Sequence, residues 1–153
     1  MKKLIAVIGA SQCDEVVFRQ AWRVGELLGE AGFDVVTGGL GGVMEGASAG
    51  ARDKGAMVVG VLPGPDPSAA NPHVQVAIAT GMGDARNAIL ANSALGFVAV
   101  SGSEGTLSEI AFALKRDKPV VSLGSWEIDS RVRSEETPEA AVAWLQAALP
   151  DRG

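Results

Sequence analysis

A chain of 153 residues with 47% hydrophobic and 20% charged residues is long enough to bury most of its unfolded surface as one domain, residues 1–153, and is not disordered. Its net charge of −5 and pI near 4.8, without a basic cluster, argue against nucleic acid or an anionic membrane as the main partner and leave open a small phosphorylated ligand held by backbone amides. One His and one Cys cannot build the usual zinc sets, so no metal is expected, and the lone Cys13 forms no intrachain disulfide, which fits a reducing cytoplasm.

Leu4 to Ile8 is an apolar run too short for a signal peptide and reads as a first buried strand. A loop over Gly9 to Asp14 leads into a helix whose apolar positions Val17, Ala21, Val24 and Leu28 share one face, ended by Gly32. Phe33 to Thr37 is the second strand. Gly38 to Gly42 opens a second helix, in which Val43, Ala47, Gly50 and Ala51 make a stripe small enough for close approach to the sheet. The third strand is Ala56 to Leu62. Four of the seven prolines break the pattern over residues 63–73, which end at His73, read as an exposed loop residue. A weaker fourth strand spans Val74 to Thr80.

Asp84 is expected to cap a helix running to about Asn92, with Arg86 in its first turn. A cation is disfavoured at a helix N-terminus, and an anion in front of Arg86 would remove the conflict. Leu95 to Val100 is the fifth strand. The small-residue loop Ser101 to Thr106 follows, and the next helix turns Leu107, Ile110, Ala111 and Leu114 to the sheet and Glu109 away from it. Gly105, Phe112 and Ala113 around Glu109 make a second apolar face, which predicts a homodimer or larger homo-oligomer. Lys118 to Leu123 is the sixth strand, residues 124–136 read as irregular, and Thr137 caps a last helix with Pro138 at its first position.

Alternating strands and helices predict an α/β fold, a Rossmann-like doubly wound and mostly parallel sheet with helices on both faces, which binds ligands beyond the carboxyl ends of its strands. Three loops there carry the candidate ligand contacts: Gly9 and Ser11 in the first, Gly39, Gly41, Gly42 and Met44 in the second, Gly102, Ser103, Gly105 and Thr106 in the third. Together they could wrap a phosphate. No familiar phosphate fingerprint is met, since Met44 stands where G-x-G-x-x-G needs its third glycine and no G-x-x-x-x-G-K-[ST] exists, so an ordinary NAD enzyme or P-loop NTPase is not indicated and no resident cofactor is expected. No aromatic residue in these loops offers a stacking surface.

The segments Gly38 to Glu45, Asp84-Ala85-Arg86-Asn87 and Gly102 to Glu109 resemble the signature segments of the LOG family, in particular a small bacterial branch that is also similar to the molybdenum cofactor carrier protein. The resemblance implies a nucleotide-binding protein that hydrolyses the N-glycosidic bond of nucleoside 5′-monophosphates to base and ribose 5-phosphate, with Arg86 and Glu109 catalytic. Gly102, Gly105, Thr106, Glu109 and Arg86 match the family pattern, whereas Ser101 stands for its proline, Ser103 for a glycine and Asn87 for a lysine. A non-enzymatic carrier of molybdenum cofactor or a related phosphorylated, pterin-like ligand is the alternative, and a nucleotide sensor a third.

Overall fold

The computed structural model describes residues 1–150. Its strands are β1 (Leu4–Gly9), β2 (Asp34–Thr37), β3 (Val58–Leu62), β4 (Val76–Ala79), β5 (Phe97–Val100), β6 (Val120–Leu123) and β7 (Val132–Ser134). They form a single sheet in the order β4-β3-β2-β1-β5-β6-β7, and every neighbouring pair is parallel. Parallel strands covered on both faces must be apolar throughout, and β1, β2, β5 and β6 are buried along almost their whole length.

The helices are α1 (Glu15–Glu30), α2 (Val43–Asp53), α3 (Arg86–Ser93), α4 (Glu104–Lys115) and α5 (Pro138–Ala148). One core lies between the sheet and α1, α2 and α5, where Val24, Leu28, Val43, Ala47 and Leu145 meet Val7, Val35, Val98 and Val121. The other lies under α3 and α4, where Leu90, Ile110 and Ala113 meet Ile8, Val36, Phe97 and Val120. Each fully buried Leu, Ile or Phe in these layers contributes about 1.5–3 kcal/mol.

The small-residue stripe of α2 has two uses. Val43, Ala47 and Ala51 face the sheet, as predicted, but Gly50 faces α1, where a β-carbon would lie 1.9 Å from the Trp22 carbonyl oxygen. Gly25 of α1 answers it, its hypothetical β-carbon 2.1 Å from the Ala47 carbonyl. The two helices therefore touch backbone to backbone, which draws the glycine loop before α2 against the loop after β1.

Three local expectations are corrected. Asp84 does not cap α3: it lies inside a short 3₁₀ turn, Gly83–Ala85, that runs straight into Arg86, so the turn's own backbone bonds replace a side-chain cap. The irregular stretch 124–136 contains β7, an edge strand of three residues with only Val132 buried, too short for a periodic signal. The third concerns α4, whose sheet side is Thr106, Glu109, Ile110, Ala113 and Leu114, while Ala111 is exposed. Glu109 is thus turned inward. Phe112 is half-buried against the second core, with the Arg116 guanidinium 5.5 Å above its ring.

Candidate functional site

The strand order reverses at β1, so the loops leaving β1 and β5 diverge and open a crevice at the carboxyl edge of the sheet. A cleft of about 130 Å³ lies there, lined by Gly9, Ala10 and Ser11 after β1, by Leu40 and Met44 around the start of α2, by Arg86, and by Ser103, Gly105, Thr106 and Glu109 of α4 and its cap. Eight of the twelve residues picked from sequence therefore line one cleft. Gly39, Gly41, Gly42 and Gly102 do not line it and instead shape its walls.

Gly42 takes φ of +61°, and a β-carbon there would fall 2.4 Å from the Ala10 carbonyl oxygen, which instead accepts the Val43 N–H at 3.0 Å. Gly41 lies against the Ser11 carbonyl in the same way. The first turn of α2 has no side-chain cap, so beyond the Val43 N–H, which Ala10 takes, its amides at Met44 and Glu45 are not closed off by a side chain, whereas α1 is closed off by Asp14, whose carboxylate accepts the Val17 N–H at 2.9 Å. Asn71, missed in the sequence, straps this loop from the proline-rich segment: its backbone N–H donates to the Gly39 carbonyl at 2.8 Å and its Nδ2 to the Leu40 carbonyl at 2.9 Å. The neighbouring His73 is not a cleft residue.

On the other wall, Ser101 adopts φ of +51° and Gly102 φ of +130°. The Ser101 N–H donates to the Leu123 carbonyl at 2.9 Å. Ser103 is the N-cap of α4, and its N–H donates to Thr106 Oγ1 at 3.3 Å. Nothing stands within 4 Å of where a β-carbon at Gly105 would be, so that position is open to an approaching ligand.

Arg86 sits between the walls. Its Nη1 donates to the carbonyls of Gly38 (2.9 Å) and Val61, and its Nε to Asn87 Oδ1 at 2.8 Å. Asn87 is buried and its Nδ2 reaches Ser108 Oγ of α4 at 3.5 Å, so it holds the guanidinium in place at the position where the LOG pattern carries lysine. Gly38 is needed bare, because a β-carbon there would lie 2.7 Å from Arg86 Nη1. These acceptors are all neutral. Nη2 makes no hydrogen bond among the described residues and the guanidinium no direct ion pair, so its charge is left for a ligand.

Burial pushes the Glu109 carboxyl up from 4.5 to about 7, against the opposing pull of Arg86. Burial likewise lowers the Arg86 guanidinium from its ordinary value, with Glu109 and Asp84 pulling it back up. The cleft near neutral pH thus holds one fixed cation and a carboxyl that is only partly ionised, an environment suited to an anion. Among the described residues no cluster of His, Cys, Asp and Glu could hold a metal ion, and no helix is long and apolar enough to cross a membrane.

The chain is similar to known proteins along most of its length. An uncharacterized protein of Archaeoglobus fulgidus is 48% identical over 138 residues, 90% of this chain and 91% of its own. The structure of the molybdenum cofactor binding protein from Rippkaea orientalis matches with a TM-score of 0.90 at 32% identity, covering 96% of this chain and 97% of that one. The molybdenum cofactor carrier protein of Chlamydomonas reinhardtii matches at 0.87 and 34%, covering 96% and 98%. The LOG-like segments, the doubly wound sheet and the likeness to these carriers agree with a family model that spans residues 2–151, and the chain belongs to the SLOG cluster4 family.

Proposed function

We propose that this protein binds molybdenum cofactor, or a closely related phosphorylated pterin, by its phosphate in the cleft between the β1 and β5 loops, and serves as its carrier. The observation that carries this reading is Arg86, an immobilised guanidinium without an ion-pair partner, facing the uncapped α2 turn on a backbone that follows two molybdenum cofactor-binding proteins over nearly its full length. The cargo fits the donors: amides and a fork-shaped cation suit a phosphate. The Ser101 loop supports a carrier over a LOG-type hydrolase. Its φ of +51° is closed to proline, and its N–H is already in use, so this loop has another shape from one beginning with proline.

Phosphoribohydrolase activity is the second reading, favoured by Glu109. A buried carboxyl poised near pH 7 could take a proton from water as it adds to the ribose C1′, while the base departs with the N-glycosidic electron pair. Protein purified from cells that make the cofactor is expected to release a fluorescent oxidised pterin on denaturation, and to leave AMP intact. Free adenine and ribose 5-phosphate, with no pterin, would select the hydrolase instead.

We also propose a homo-oligomer through the outer side of α4, where Ala111, Phe112, Ser108 and Lys115 line a shallow depression of about 180 Å³. Light scattering is expected to give a multiple of the 15.6 kDa chain mass, and Ala111→Glu to reduce it; a monomeric wild type would refute the interface.

A further inference from the structure

The cleft is too small for the ligand proposed for it. A site that encloses a drug-sized molecule has about 300 Å³ or more, and this one has about 130 Å³. Such a volume has room for a phosphate but not for the planar part of the molecule as well.

Trp126 stands at the rim of the cleft. It lies in the β6–β7 connection, which leaves the carboxyl end of β6 through Gly124 at φ of +65°, beside the Ser101 loop that is tied to Leu123. Its Nε1 donates to the Ser103 carbonyl at 2.9 Å, and Ser103 lines the cleft. The residue is nonetheless 40% exposed. Among the described residues, which include all seven aromatics, Trp126 is the one whose ring is hydrogen-bonded to a cleft residue: Phe33 and Phe97 are buried, and the Trp22 indole is held by Asp53, the last residue of α2. The hydrogen bond fixes one edge of the indole and leaves apolar ring surface to solvent. An anchored tryptophan with a bare face is a stacking surface for a flat heterocycle.

Resting on the reading of the cleft as a phosphate site, we infer that Trp126 is the stacking platform for the ligand's planar ring, so that the phosphate is held inside the cleft and the heterocycle lies on the indole outside it. Ring recognition in this protein thus comes from the β6–β7 connection, and phosphate recognition from the loops after β1 and β5 and from Arg86.

Two small phosphates separate these roles: 6-hydroxymethylpterin phosphate, which carries a ring, and glycerol 3-phosphate, which does not. By titration calorimetry the wild type is expected to bind the pterin phosphate more tightly, and Trp126→Ala to weaken it by about tenfold or more, the scale of base–aromatic stacking. Trp126→Ala should leave glycerol 3-phosphate unchanged, and Trp126→Phe, which keeps a ring but loses the bond to Ser103, should retain most of the pterin affinity. Unchanged pterin binding in Trp126→Ala would overturn the platform and leave the cleft reading standing. Equal loss of both compounds, or a Trp126→Phe as weak as Trp126→Ala, would overturn it by showing that the residue only props the Ser103 loop. Failure of the wild type to bind either compound would bring down the cleft reading and the platform with it.

Discussion

Arg86→Ala is expected to weaken binding of any phosphorylated ligand by about 100-fold, since each hydrogen bond from a charged group contributes about 1.5–3 kcal/mol and about 1.4 kcal/mol is tenfold in affinity. Among the described residues Arg86 is the only cation lining the cleft. Its fork also answers three acceptors from three parts of the chain, Gly38, Val61 and Asn87. Arg86→Lys is therefore not conservative: a single ammonium cannot span those acceptors and still face the ligand, and should recover little of the loss. Removing a half-buried cation also relieves a desolvation cost, so the fold is expected to survive, as circular dichroism would show. Wild-type affinity in Arg86→Ala would show that phosphate is not bound in this cleft.

The second large effect is on pH. Glu109 titrates near 7 in the folded protein and near 4.5 when unfolded, so the folded state holds its proton more tightly. Its contribution is fully present below about pH 4.5 and is lost as pH rises through about 7, a change of about 3 kcal/mol. Glu109→Gln carries no proton to lose. Its thermal midpoint relative to wild type should therefore rise by several degrees between about pH 5 and about pH 8. The variant should also bind glycerol 3-phosphate more tightly at the higher pH, where the wild-type carboxylate repels it. If the protein does cleave nucleotides, the same variant abolishes cleavage. Midpoints that run parallel over that range would show that Glu109 is not held protonated by burial.

The inward placement of Glu109 marks where helix periodicity stops being informative. α4 carries apolar residues around much of its circumference, Leu107, Ile110, Ala111, Phe112, Ala113 and Leu114, so spacing alone admits more than one rotation about the axis. The structure selects the rotation that buries Thr106, Ala113 and Glu109, and it does so because Thr106 must meet the Ser103 N–H and because α3 packs alongside through Asn87 and Ser108. Arg86 and the glycine loops were legible for the opposite reason. A cation in a first helical turn and runs of glycine between a strand and a helix conflict with local preference, and such conflicts mark sites.

Asn71 and Trp126 were not legible as parts of the candidate site. Each acts across the chain, Asn71 on a loop 31 residues away and Trp126 on one 23 residues away, and neither belongs to a local pattern. The sequence by itself determined the alternation of strands and helices, the apolar strand runs and the glycine turns, because these are set by interactions within a few residues. Only the tertiary structure decided the strand order that opens the crevice at β1, the rotation of α4, the contact of α1 with α2 through Gly25 and Gly50, and the meeting of Trp126 with Ser103. These depend on which surfaces exclude water together, a property of the whole packed sheet that no short stretch of chain contains.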